Sequence, residues 1–260
     1  MSTFDEPTVQ VNLPLFQGPP VYTDVIQGNF GSCWLLSTLV SYLRPGPKLD
    51  ERQQDIIRSV SPLVNQEYKV KLGKKHYIVD NTMPTRYINN RQRVMWPILF
   101  EKAFMAADPF NKHNLVEVEP DVFRALKLKP SSIEVMPACK SMRTMLPSNS
   151  SQMDIHSTGP IGIWPKLRKD ILYRMFREGR HIIALTSGKT YLSKVSLKEV
   201  NGVPNHAYAI IDVEKRGASD IFITVYNPWG YNPILKGKDN GTSVLSWDHF
   251  VCLFCCIQYG

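Results

Sequence analysis

Four side chains in this sequence have types and neighbours suited to nucleophilic chemistry. Cys33 stands near the start of Gly31-Ser-Cys-Trp-Leu-Leu-Ser-Thr-Leu-Val-Ser-Tyr-Leu43, whose apolar residues at 36, 39, 40 and 43 recur with helical spacing. A thiol at a helix N-terminus meets unpaired backbone N–H groups and the positive end of the helix dipole. Both favour the thiolate, so a lowered pKa is expected for Cys33. Elsewhere, a lone cysteine is more often a buried structural residue.

A thiol nucleophile also needs a base. The candidates are His76, His113, His156, His181, His206 and His249, and five of them read as ordinary surface or loop histidines. His206 differs because it opens the alternating stretch His206-Ala-Tyr-Ala-Ile-Ile-Asp-Val213, which reads as a strand. A turn-like Glu214-Lys-Arg-Gly-Ala-Ser-Asp220 follows, and Ile221-Phe-Ile-Thr-Val-Tyr-Asn227 alternates back. If the two runs form a hairpin centred between Arg216 and Gly217, His206 and Asn227 face each other at its open end. An amide there would accept the second imidazole N–H and fix the tautomer of the base. Trp229, two residues on, would shield that bond from water. Gln27 precedes Cys33 by six residues, and its amide with the Cys33 backbone N–H would form a donor pair for a developing oxyanion.

The elements that must position these groups follow from local pattern. An extended arm rich in Pro and Gln runs to about Val21. The nucleophile helix is capped by Ser32 and ended by Arg44-Pro-Gly-Pro47. Tyr68 to Val79 alternates around Gly73 as a hairpin. Trp96 to Ala107 reads as a second helix, stopped by Asp108-Pro109. Pro130 to Pro165 lacks periodicity and reads as a domain junction. Lys166 to Arg180 is helical in pattern. His181–Leu185, His206–Val213, Ile221–Asn227 and Val251–Gln258 read as short strands. A helix-rich first half and a strand-rich second half predict an α+β protein of two lobes, 1–130 and 131–260.

Gln27-Gly-Asn-Phe-Gly-Ser-Cys-Trp34, Asn205-His-Ala-Tyr208 and Asn227-Pro-Trp-Gly230 resemble, in order and setting, the motifs of papain-fold cysteine proteases. The separation from Cys33 to His206 and Asn227 exceeds the roughly 130–150 residues of papain-like enzymes. Pro228 after the Asn, Ala-Tyr after the His and Trp96-Pro-Ile-Leu-Phe-Glu-Lys-Ala-Phe104 resemble the calpain branch instead. The resemblance runs from about Gln17 to the C-terminus. It implies a two-lobed papain-like core, with Cys33 as nucleophile on the first lobe and His206 and Asn227 on the second. It also implies peptide hydrolysis through a thioester acyl-enzyme, with Gln27 in the oxyanion hole.

The chain departs from the family at several positions. Ser32 stands where calpains usually have Asp, and Asn205 replaces the Gly before the His. Asp24 matches a calcium-binding Asp of the first lobe, but Tyr22 stands at the partner Arg and Asn111 at a ligand Glu. A hard cation needs several oxygen ligands including carboxylates, so the expectation is no cofactor, with calcium carried over at Asp24 alone.

Composition bounds the rest. The 260 residues are 43% hydrophobic and 21% charged, which excludes disordered and low-complexity classes. Cys33, Cys139, Cys252, Cys255 and Cys256 form an odd, irregular set, which fits a reducing compartment. Cys252-Leu-Phe-Cys255 has redox-like spacing but reads as core strand. The start carries no secretory pattern and no run is long enough to span a bilayer, so a cytoplasmic location is expected. The net charge of +8 arises from scattered Lys and Arg without a nucleic-acid motif. The expected partners are protein or peptide substrates, with a regulatory partner possible, and neither nucleic acid nor membrane.

The leading expectation is therefore an intracellular calpain-like cysteine endopeptidase. A catalytically silent calpain-fold module that binds partners is the alternative. Retention of Cys, His and Asn favours the enzyme. Acyl transfer with the same nucleophile is a third reading, disfavoured because such enzymes typically orient the base with Asp.

Overall fold

The computed structural model describes residues 7–29, 31–107, 151–159, 162–165, 167–186, 203–217, 220–231 and 240–260. Among them lie five α-helices, and every strand pair is antiparallel, so the α+β expectation is met. The boundary expected near residue 130 falls outside the described residues, as do Cys139, Asn111 and His113.

The first half contains β1 (Thr8–Gln10), α1 (Cys33–Tyr42), α2 (Leu49–Ser59), β2 (Val60–Pro62), β3 (Glu67–Leu72), β4 (Lys75–Asp80), β5 (Thr82–Pro84) and α3 (Trp96–Ala107). α1 and α3 are apolar almost all round, so both are buried nearly throughout. β3 and β4 form the expected hairpin around Gly73, which sits at φ 59°. Lys102 of α3 ties itself to this hairpin. Its ammonium donates to the Asp80 carboxylate, to Asp80 O at 2.9 Å and to Thr82 O at 2.7 Å. α2 is a helix that apolar periodicity did not reveal. It is mostly polar and buries only Arg52 and Ile56.

The second half contains β6 (Ser151–Asp154), β7 (His156–Gly159), β8 (Gly162–Pro165), α4 (Lys169–Arg177), β9 (Ile182–Thr186), β10 (Ala207–Arg216), β11 (Asp220–Tyr226), β12 (Thr242–Ser246), α5 (Trp247–Leu253) and β13 (Phe254–Tyr259). Six strands make one sheet in the order β12-β11-β10-β9-β13-β6. The stretch after residue 150, read as aperiodic, thus supplies an edge strand and a small hairpin. Val251–Gln258, read as one strand, divides instead. Ser246 caps α5 by accepting the His249 N–H at 3.3 Å, and the strand begins only at Phe254. Cys252 is consequently a buried helix residue.

β10 is the element on which the site depends. It is buried on both faces along its first half, which explains the near-continuous apolar run. Ala207, Ala209 and Ile211 face the core shared with Leu36, Leu39 and Val40 of α1. Tyr208 and Ile210 face the other core, with Phe250 and Phe254. The small Ala207 and Ala209 side chains let α1 lie close, and Ser37 Oγ donates to Ala207 O at 2.9 Å. Ser41, one turn on, accepts the Ile182 N–H at 2.9 Å and so joins α1 to β9.

Candidate active site

Cys33 is the first residue of α1, where the sequence placed it. Ser32 precedes it with φ −97° and ψ 13°, and its carbonyl accepts the Leu36 N–H at 3.0 Å. Its hydroxyl does not cap the helix, contrary to expectation; it donates to the buried Glu101 carboxyl of α3. Trp34 packs edge-on against Phe104 of the same helix, at 5.1 Å between ring centroids.

The thiol pKa is moved opposite to the sequence expectation. Burial pushes the Cys33 thiol up, because a desolvated thiolate loses more than a thiol. Hydrogen bonding to the backbone of Ala207, Trp34 and Cys33 itself pulls the other way without overcoming it. The helix terminus is therefore present, and although Cys33 is only half-buried, desolvation of its thiol outweighs it. The Ala207 contact also places the sulfur beside the strand residue that follows His206.

His206 and Asn227 meet, though not as a direct cross-strand pair. The hairpin closes on Arg216 opposite Asp220, and a bulge between Ile210 and Asp212 shifts the register. The last rung pairs Ala209 with Tyr226, so Asn227 lies just beyond the ladder, diagonal to His206. Their side chains close the gap, with His206 Nε2 and Asn227 Oδ1 2.9 Å apart. The Trp229 N–H donates to the same Oδ1 at 3.0 Å. Because a backbone N–H can only donate, it sets the amide with oxygen towards the imidazole. Nε2 then carries the proton donated to Asn227, and Nδ1 keeps its lone pair.

The imidazole is dry and clamped. His206 is 4% exposed and Asn227 is fully buried. Trp229 lies 4.6 Å from the His206 ring at 49°, and Tyr208 meets it edge-on at 4.8 Å. Trp229 thus covers the histidine, as its position in the sequence suggested. Burial lowers the His206 pKa to about 4, despite the opposing Asn227 hydrogen bond. With the thiol raised and the imidazole lowered, each group taken alone favours its uncharged form.

His206 is also anchored through its backbone. Its N–H donates to Thr186 Oγ1 at 2.9 Å, and its carbonyl accepts the Thr186 N–H at 2.9 Å. Thr186 Oγ1 in turn donates to Val203 O at 2.6 Å. Asn205 enters this corner at φ 51°, a left-handed conformation that Asn tolerates and most residues avoid. Thr186 is a site-supporting residue that sequence reasoning missed, since no local pattern distinguishes it from any strand threonine.

Gln27 is 5% exposed and is held against the same corner. Its N–H donates to Pro228 O at 2.7 Å, while its carbonyl accepts from Asn89 Nδ2 at 2.9 Å. Gln92 Nε2 donates to Ile26 O at 3.1 Å. The structure therefore brings the Gln27 backbone to the Asn227–Trp229 turn, the His206 imidazole to Asn227, and the Cys33 thiol to the backbone of Ala207.

Asp24, the residue tied to calcium by resemblance, uses its carboxylate locally. Oδ2 accepts from the Val21 N–H at 3.0 Å and from Trp96 Nε1 at 3.4 Å. Tyr22 brings a ring, stacked edge-on at 5.3 Å against Tyr226, and no carboxylate. Among the described residues, no three His, Cys, Asp or Glu side chains are grouped as metal ligands. No helix among the described residues is long and apolar enough to cross a membrane. No protein-family model and no curated protein sequence matches this chain.

Proposed function

We propose that this chain is a cysteine endopeptidase core of calpain type, with a papain-like division into two lobes. Cys33 attacks the peptide carbonyl. His206 Nδ1 takes the thiol proton and later returns it to the leaving amine. Asn227 holds the tautomer and orientation of the base. The acyl-enzyme is a thioester, which water then hydrolyses with His206 again as base. Gln27 and the Cys33 N–H serve the oxyanion. Protein or peptide substrates, a regulatory partner and a cytoplasmic setting belong to the same reading.

The observation that carries this reading is the His206–Asn227 hydrogen bond, with the amide locked by the Trp229 N–H and the imidazole covered by the Trp229 indole. A buried histidine kept only for packing does not need an orienting amide that is itself held by a backbone donor. The strand that bears His206 also packs directly on the helix that begins at Cys33.

Wild-type protein should cleave casein and be labelled by a thiol-reactive epoxide, and Cys33→Ala should abolish both. Wild-type protein that neither cleaves nor is labelled refutes the enzyme reading and leaves the silent, partner-binding module as its replacement.

A further inference from the structure

Glu101 is a carboxyl in the middle of an apolar helix, 2% exposed, on a face where a hydrocarbon side chain would pack at less cost. Its neighbour Lys102 donates to Asp80 and Thr82. Among the described residues, the hydrogen-bond partner of the Glu101 carboxyl is the Ser32 hydroxyl. Ser32 is itself 3% exposed and directly precedes the nucleophile.

Three residues further along α3, on the same helix face, Phe104 packs edge-on against Trp34, the residue directly after the nucleophile. One face of α3 therefore grips both chain neighbours of Cys33, one by a hydrogen bond and the other by ring packing. Cys33 is the residue between the two grips. Trp34 and Phe104 are hydrophobic and tolerate sliding, whereas a buried hydroxyl–carboxyl bond has a narrow range of geometry.

We propose that Glu101 is a positioning residue for the nucleophile, acting through Ser32 to hold the backbone at the first turn of α1 so that the Cys33 thiol is aimed at the base. The inference rests on the cysteine-nucleophile reading above. It goes further by assigning the aim of the thiol to a residue on a different helix. Burial raises the Glu101 pKa to about 7, so near neutrality the group is partly protonated and can serve as either partner of the bond.

The test uses the whole chain and two readouts: peptide hydrolysis, and the rate at which iodoacetamide alkylates Cys33. Glu101→Leu and Ser32→Ala should each lower kcat by about 10- to 100-fold with KM within twofold of wild type, the scale on which a misplaced reacting group is felt. Glu101→Gln, whose amide oxygen accepts the same hydroxyl, should keep kcat within about threefold. Alkylation of Cys33 should slow in Glu101→Leu and Ser32→Ala and stay unchanged in Glu101→Gln.

If either single variant does not fold, the double variant Ser32→Ala/Glu101→Leu takes its place, since it leaves no orphaned polar group. It should fold and show the same loss. Folded variants with unchanged kcat and unchanged alkylation overturn the proposal, as does a rise in KM at constant kcat. Should wild-type protein fail to hydrolyse any peptide, the enzyme reading fails, and the alkylation rates alone decide whether Glu101 positions the thiol.

Discussion

Gln27 donates its backbone N–H to the carbonyl of Pro228 at 2.7 Å, which joins the segment before the Cys33 helix to the turn after Asn227. That bond connects residues from opposite ends of the chain at the corner where the imidazole sits. Its geometry depends on two glycines. A Cβ on Gly28 would lie 1.9 Å from the Tyr87 carbonyl oxygen, and one on Gly230 would lie 2.4 Å from Ile26 Cδ1.

Gly28→Ala should therefore displace Gln27 and be costly at once to stability and to turnover. Overpacking against backbone predicts a loss of about 1–3 kcal/mol in urea unfolding. The accompanying fall in kcat should exceed any change in KM, because the oxyanion is stabilised only as it forms. An alanine variant with native stability and native kcat would show that the close approach at Tyr87 is not needed.

Trp229→Ala should shift the acid limb of the pH–rate profile upward. The covering indole keeps water from His206, and burial is the largest cause of its pKa near 4. The imidazole is thus neutral down to about pH 4, and if it acts as the base, the limb of kcat/KM that reports it should fall there rather than near 6.5. Admitting water restores the charged form and moves the limb towards 6.5. Profiles from pH 3 to 8 for wild type and variant measure the shift, and coincident limbs would contradict this account of the burial.

Asn205→Gly should be tolerated or mildly stabilising, while Asn205→Val should destabilise by about 1–2 kcal/mol. The reason is the left-handed backbone at φ 51°, which Gly adopts freely and a β-branched residue does not. Thermal unfolding of the two variants is sufficient, and equal melting temperatures would refute the strain argument.

Stability should carry two opposed pH dependences. Glu101 has a folded pKa near 7 against an ordinary 4.5. Between those values the native chain holds a proton that the unfolded chain has released, so stability falls as pH rises through this window, by roughly 3 kcal/mol at most. His206 and His181 act in the opposite sense. Both are lowered to about 4 by burial, so their neutral native forms favour folding above about pH 6.5. That contribution is lost as pH falls towards 4. Glu101→Gln removes only the first dependence: its unfolding free energy should exceed that of wild type at pH 8 and converge with it by pH 4. A constant difference across that range would contradict the burial of an ionisable group there.

Much of the scaffold was legible from local pattern. α1, α3 and the β3–β4 hairpin have clear periodicity or a turn glycine, and the structure places them within a few residues of the expected bounds. α2 was missed because a helix that buries only Arg52 and Ile56 shows almost no apolar stripe. α5 was read as strand because a short, apolar run fits either state, and Ser246 as its cap decides the matter locally. The hairpin was correctly paired but set in the wrong register, because its strands close with Arg216 opposite Asp220, beyond the turn centre between Arg216 and Gly217 that local composition suggests, and the bulge between Ile210 and Asp212 gives back only one residue of that offset. Even so, the His206–Asn227 contact survives the shift, because side chains reach diagonally across a strand end.

Residue types and their order were sufficient to nominate Cys33, His206, Asn227 and Gln27 as candidates, because chemistry restricts which side chains can act as nucleophile, base, orienting amide and donor. What sequence could not supply was the environment of each. The helix terminus argued for a lowered thiol pKa, and only the packing of α1 against β10 shows that desolvation wins and raises it. The pairing of Ser32 with Glu101 is likewise invisible along the chain, since it depends on two helices meeting. Dielectric surroundings and long-range contacts are properties of the folded assembly of elements. Local periodicity encodes the elements, and tertiary packing alone sets the charge states and aim of the groups they carry.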